Sequence, residues 1–197
     1  MQFPVFPLNG AILFPGTNLP LNIFEPRYIQ MVDYALSNNR LIGMIQSRED
    51  GTFFNIGCLG KITNFTDTID GTYQINLQGL NRFRYNKTIS TVNKFITIEA
   101  DELIYKKTKK EKNISIGKNL LLIFKKFLNV KKITFNTSDF EKLNAINLAK
   151  IICVISPLNY LIKQMLLEFD SEEELCTKLI SVLEIEINNI DYSLKIN

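Results

Sequence analysis

Five of the chain's six prolines lie within its first 26 residues, at positions 4, 7, 15, 20 and 26, and cut that segment into short apolar runs. The runs are Phe3-Pro-Val-Phe-Pro-Leu8, Ile12-Leu-Phe-Pro-Gly16 and, after Leu19-Pro-Leu21, Ile23-Phe-Glu-Pro-Arg-Tyr28. Proline has no N–H for a sheet ladder, so the spacing predicts a series of edge strands and turns rather than central strands. Pro26 suits the first turn of a helix, and Ile29, Val32 and Leu36 recur on one face behind it. Asn38 and Asn39 tolerate left-handed geometry, so the helix is expected to end there.

Strand signals follow. Leu41 to Gln46 is a short apolar run, and Asn55 to Phe65 a longer one whose Gly57 and Gly60 predict a bulge or a close backbone approach. Asp70-Gly71 separates β-rich segments, and Tyr73, Ile75 and Leu77 alternate with polar residues beyond it, the signature of a hairpin. Phe83 and Tyr85 alternate with Arg82 and Arg84 in a following strand, and Phe95 to Ala100 supplies a last one. Several short strands with a single helix among them favour a curled sheet or partly open barrel, which removes exposed edges.

The second half reads as helices only, which makes the chain α+β. The run Lys106 to Lys112 carries no apolar residue and is read as a junction between residues 1–108 and 109–197. Beyond it, residues 116–130 have helical spacing, Ser138 with Glu141 and Ser171 with Glu174 form capping-box patterns, and Ser156-Pro157 opens another helix. Leu175, Leu179, Val182, Leu183 and Ile190 keep to one side of the last helix.

Composition removes much chemistry. There is no histidine among the 197 residues, which excludes Ser-His and Cys-His nucleophile pairs and histidine metal sites. Gly57-Cys-Leu-Gly-Lys-Ile62 has glycines too close together for a phosphate loop and lacks the hydroxyl residue after the lysine. Glu49-Asp50 sits beside a turn, and Glu172 to Glu174 sits in a helix first turn, where acids complement the dipole. Cys58, Cys153 and Cys176 are odd in number and widely spaced, which reads as buried thiols rather than a disulfide framework or a zinc site. No cofactor and no metal are expected. The net charge of +3 is too small to argue for a polyanion, and the lysine run reads as solvated linker rather than a nucleic-acid surface. The longest apolar stretches span five residues, so no membrane segment is expected, and the proline-broken start lacks the basic residues of a secretory signal. The reading is of a cytoplasmic protein.

The order of these landmarks resembles the Lon protease N-terminal domain family. The likeness is carried by Phe3 to Leu8, Leu13 to Gly16 and Leu19 to Tyr28, with Ile23-Phe-Glu-Pro-Arg-Tyr28 its most recognisable part. It continues through the glycine strand 57–62, the hairpin from Asp70 to Arg84, and Lys163 to Glu168. The resemblance implies a barrel-like, mostly antiparallel, PUA-like β-domain with one inserted helix, followed by a C-terminal helical subdomain. It also implies a bacterial-type, stand-alone module without the ATPase and peptidase of full-length Lon, since the chain ends at Asn197. The implied partners are unfolded or tagged polypeptides, with a separate protease or chaperone as recipient, and no active site. The alternative is an RNA-binding PUA-like module.

Candidate binding residues within the signature are Phe14, Pro15, Phe24, Glu25, Arg27 and Tyr28. Each has a structural reading beside the functional one. Glu25 precedes a proline and is therefore extended, near the positive end of the helix that Pro26 begins, where Arg27 pairs with it or with another acid. Phe14, Pro15, Phe24 and Tyr28 are core or turn residues unless they are exposed together, in which case the apolar patch marks a binding surface.

Overall fold

The computed structural model describes residues 1–89, 92–105 and 110–196, with side chains for all of these except 110–114 and 190–196. The chain forms two compact units that are discontinuous in sequence: Met1–Ile104 with Leu158–Leu167, and Tyr105–Pro157 with Glu168–Asn197. Residues 106–109 of the lysine run, and with them the expected boundary after 108, lie outside the described residues. The remainder of the run opens a helix.

The first unit is built on six strands: β1 (Gln2–Pro7), β2 (Asn18–Ile23), β3 (Leu41–Ile45), β4 (Ile56–Asp67), β5 (Tyr73–Ile89) and β6 (Ile96–Leu103). Their order is β2-β5-β4-β3-β1-β6, and β6 also pairs with β5, so five strands close into a ring with β2 attached outside it. All pairings are antiparallel except β1 with β3. This is the expected α+β architecture, with a ring-like sheet in place of a strict barrel.

β5 makes the closure. The expected two strands on either side of Gly79 are one strand of 17 residues. On one side it pairs with β4; on the other, residues 73–78 pair with β2 and residues 82–89 with β6. Bulges bend it where β4 shifts register at Leu59/Gly60 and Ile62/Asn64 and β6 shifts opposite Tyr85/Lys87. Gly79 lies at the handover, where the turn Phe14–Thr17 abuts the strand: Gly16 N–H donates to the Gly79 carbonyl at 2.9 Å and Gly79 N–H to the Thr17 carbonyl at 2.8 Å.

β1 corrects the expectation that the opening is all edge strand and turn, because it pairs on both sides. Its prolines are tolerated because the two pairings are staggered: residues 2–5 face β6 and residues 5–7 face β3. Pro4 therefore meets one neighbour and Pro7 the other, and only Val5 lies in both registers. β2, with Pro20 at its middle, is an edge strand as expected.

α1 (Pro26–Leu36) has proline in its first turn and buries Tyr28, Met31, Val32 and Ala35. They join Phe6, Leu13, Ile23, Ile62, Ile75 and Leu77 in one core, in which each buried Val, Leu, Ile, Phe or Met side chain contributes about 1.5–3 kcal/mol by leaving water. Phe3, Val5, Leu59, Phe83 and Ile98 form a second core, centred on an edge-to-face Phe3–Phe83 pair at 5.0 Å. The left-handed residue after α1 is Arg40 at φ 62°, not an asparagine. Asn38 instead donates its amide to the Tyr34 carbonyl, and Asn39 accepts from Leu41 N–H.

The first unit also contains most of α4 (Tyr160–Glu168). Gln164 Nε2 donates to the Ile56 carbonyl at 3.0 Å, and Arg82 Nη1 donates to the Leu167 carbonyl at 3.0 Å. Arg82 is 1% exposed. A C-terminal carbonyl of a helix carries partial negative charge and lacks an intrahelical donor, so the guanidinium answers both needs.

The second unit comprises α2 (Lys110–Val130), α3 (Ala145–Ile155) and α5 (Glu172–Ile196), with a 3-10 turn at Ser138–Lys142. The Ser138/Glu141 pattern is not a helix cap here; Asn144 caps α3 by accepting from Asn147 N–H at 2.9 Å. Ser156 closes α3 instead of opening α4. Ser171 does cap α5: its Oγ accepts from Glu174 N–H at 3.1 Å and donates to the Glu174 carboxylate. Leu175, Leu179 and Leu183 are buried along α5, while Ile190 lies outside the described side chains.

Candidate functional site

The six residues singled out in the opening separate into two places. Phe14 is fully buried, and Thr17 Oγ1 closes the turn around it by donating to the Phe14 carbonyl at 2.8 Å and accepting from its N–H. A Cβ at Gly79 would stand 2.1 Å from the Phe14 carbonyl oxygen, so this turn is packed against β5 without slack. Ile23, the last residue of β2, is paired with Tyr73 at the other end of the β2–β5 ladder. At about 3.3 Å per residue the two places are about 20 Å apart along β5. Phe14 and Pro15 thus belong to a turn and its core, away from the remaining four residues.

Those four form the entry to α1. Glu25 has extended geometry, with ψ 130°, and its carbonyl accepts from Tyr28 and Ile29 N–H. Its carboxylate makes no cap hydrogen bond and pairs with Arg27 at 2.9 Å. The Arg27 guanidinium also lies over the Tyr28 ring, 4.5 Å from its centre, and that ring packs against Phe6 at 4.2 Å. Burial raises the Tyr28 pKa, with the neighbouring Arg27 charge opposing and Glu25 assisting. Phe24 is different: it is 66% exposed.

Two further features lie at the same end of the sheet. Phe65 on β4 and Tyr73 on β5 meet edge to face at 4.9 Å, and the hairpin beyond them carries the fully exposed Ile69. The Tyr73 hydroxyl is bonded to Asp33 of α1, which raises its pKa, and partial burial and the charges of Asp33 and Asp67 add to the shift. The hairpin is rigidified by Asp70, whose carboxylate accepts from Thr72 N–H and from the hydroxyls of Thr68 and Thr72; these bonds lower its pKa. Sequence reading passed over Phe65 and Tyr73 as strand residues; their diagonal pairing depends on a β4–β5 register set by the bulge at Thr63.

The outer edge of β2 completes the arrangement. Bonded pairs alternate along an antiparallel ladder, and the Gly79-to-Thr17 bond places Leu19, Leu21 and Ile23 in the bonded set. Asn18, Pro20 and Asn22 therefore turn their main-chain groups away from β5, where no other strand pairs with them among the described residues. This edge offers three carbonyls and two N–H groups, since Pro20 removes the middle donor. Chemically it can accept an extended chain, but it holds no nucleophile or general base. Among the described residues no cluster of metal-ligating side chains occurs and no helix is long and apolar enough to cross a membrane.

Comparison with known proteins agrees with this architecture. Residues 2–184 match the family model described as the ATP-dependent protease La (LON) substrate-binding domain. Lon protease of Dictyoglomus thermophilum is 28% identical over 98% of the chain, and Lon protease of Buchnera aphidicola subsp. Baizongia pistaciae is 26% identical over 95%. The chain spans 25% of the length of each of these relatives. Among solved structures, the N-terminal domain of Mycobacterium avium complex Lon protease superposes with a TM-score of 0.75 at 19% identity, covering 93% of this chain and 98% of that one. A Lon N-terminal domain protein from Xanthomonas campestris gives 0.69 at 20% identity, covering 92% and 98%.

Proposed function

The chain belongs to the substrate-binding domain family of the ATP-dependent protease La (Lon), and we propose that it is a non-catalytic module that captures exposed apolar segments of unfolded or tagged polypeptides and presents them to a protease. The observation that supports this most is the juxtaposition, at one end of the sheet, of the unpaired edge of β2 with the exposed ring of Phe24. Main-chain bonding at the edge gives affinity without regard to sequence, and an aromatic anchor at its end selects apolar side chains. A folded protein has its main chain already paired and its apolar residues inside, so it offers neither. In this reading Phe24 contacts the captured chain, the Glu25–Arg27 pair holds the start of α1 that positions it, and Phe14, Pro15 and Tyr28 supply the packed support.

Three lysines of the helical unit are paired rather than presented to a polyanion. Lys125, Lys131 and Lys142 are paired with Glu141, Glu186 and Asp139 at 3.0–3.1 Å, which disperses their charge. The test is a photo-crosslinking analogue of phenylalanine at position 24. It is expected to capture a reduced, carboxymethylated reporter protein and to leave the native reporter untouched; capture of both alike, or of neither, contradicts the proposal.

A further inference from the structure

The helical unit contains a concavity of about 940 Å³ between α2, the 3-10 turn and the start of α3. One wall is a single face of α2, with Lys118, Leu121, Leu122 and Lys125 lining it; opposite lie Phe140 and Leu143. Leu122 is 53% exposed although it is apolar and faces the groove. Both ends are defined. At one, α2 and α3 approach so closely that a Cβ on Gly117 would stand 3.4 Å from that of Ala145. At the other, Lys125 and Glu141 close the rim with an ion pair at 3.0 Å.

The walls decide what can lie here. The α2 wall presents side chains alone, because its main-chain groups are spent on the helix, and in the opposite wall the Phe140 and Leu143 N–H groups are spent on the Thr137 and Phe140 carbonyls. The Asn144 side chain is spent as well, on the α3 cap. An extended segment would leave its own N–H and C=O groups without partners against such a surface, whereas a helix satisfies them internally. The charge census is equally specific: Lys125 and Glu141 neutralise each other, while exposed Lys118 has no ionic partner among the described residues. From Lys118 to Lys125 the wall spans about 10 Å, two helical turns, which fits apolar anchors spaced i, i+3 and i+7.

We infer that this groove is a docking site for an amphipathic helical segment of a partner protein, its apolar face on Leu121, Leu122, Phe140 and Leu143 and a carboxylate at the Lys118 end. The site differs in chemistry from the β2 edge. It takes a chain that is already helical, in contrast to an extended one, and it does not depend on the reading given to Phe24.

The experiment uses the whole chain and two fluorescein-labelled 18-residue helix-forming peptides with leucines at i, i+3 and i+7, one carrying glutamate beside the first leucine and the other lysine. Fluorescence anisotropy is expected to show the glutamate peptide binding about fivefold more tightly, the worth of one exposed ion pair at its upper limit. Lys118→Glu reverses that order, and Leu122→Asn weakens both peptides about tenfold, as loss of an anchor contact does. Circular dichroism of both variants is expected to match the parent, because both side chains are exposed. Phe24→Ala leaves these affinities unchanged while reducing capture of unfolded reporter, which separates a failure here from a failure at the sheet edge. The inference is overturned if neither peptide binds, if the two bind equally in the parent and in Lys118→Glu, or if a proline-broken peptide of the same composition binds as well. Binding of dodecanoate with no binding of either peptide also overturns it and makes the groove a lipid site.

Discussion

Arg82 heads the fully buried side chains in volume, and the Leu167 carbonyl that receives its Nη1 proton is 85 residues away in sequence. Replacing it with methionine keeps the volume but strands that carbonyl. The expected cost is about 1.5–3 kcal/mol, the range for a hydrogen bond to a charged group, and amide exchange in α4 should accelerate before exchange in the sheet does. Uniform acceleration would mean that Arg82 acts only through global stability. Gly79→Ala is the complementary case, because its methyl would meet backbone at 2.1 Å; a loss of about 3 kcal/mol is expected in urea unfolding. Cys176 adds a pH dependence in the alkaline range. Burial pushes its thiol up from 9.0 to about 12, with Glu172 adding to the shift and Lys150 opposing it. The unfolded chain therefore gives up this proton first, so the stabilisation is complete below about pH 9 and declines as pH rises toward about 12. Between about pH 8 and about pH 10.5 the urea midpoint of Cys176→Ala should fall less steeply than that of the parent. The two-residue periodicity places Arg82 with Arg84 on one side of a strand, and nothing local reveals that α4 covers the one and not the other. The Glu25–Arg27 lock was legible because its cause, a proline between two opposite charges, is local.

Elements whose signals are local were read correctly: α1 from its proline, the β4–β5 hairpin from Asp70-Gly71, and α5 from Ser171 and Glu174. Ser171→Ala is expected to cost about 1 kcal/mol, the usual worth of such a cap. The misreadings of β5 and β1 are set by distant partners. The alternation reads as one strand through Leu77 and a next one at Arg82 to Tyr85, yet Gly79 between them admits the Phe14 carbonyl while the ladder to β4 continues past it. β1 was placed at an edge because two prolines ordinarily forbid a central strand, and the stagger that permits them depends on where β3 and β6 begin. Ser138 and Glu141 have the spacing of a cap, but a 3-10 turn follows and Asn144 starts the helix. For β2 the account makes a specific demand. A bound extended peptide must donate to the outward carbonyls of Asn18, Pro20 and Asn22, so N-methylating alternate amides of that peptide abolishes binding in one phase and is tolerated in the other. Equal tolerance in both phases would rule out main-chain pairing at this edge.

At the scale of the molecule, closure of the sheet leaves the full outer edge of β2 without a strand partner among the described residues, and Pro20 restricts what can add to it. That combination suits transient capture better than assembly of the chain with itself, since a full row of donors would template indefinite pairing. The architecture was legible from the order of strand, turn and helix signals. Of the candidate site, the signature names Phe14, Pro15, Phe24, Glu25, Arg27 and Tyr28 together, whereas exposure separates Phe24 from Phe14 and Tyr28, and exposure follows from packing that no short motif records. The most direct test is the affinity of the whole chain for one protein in two states, native and permanently unfolded by reduction and carboxymethylation, measured by titration calorimetry with the parent and with Phe24→Ala. The account predicts binding to the unfolded form alone and about tenfold weaker binding by the variant at unchanged stability; equal affinity for the two states, or an unfolded-chain affinity indifferent to Phe24, contradicts it.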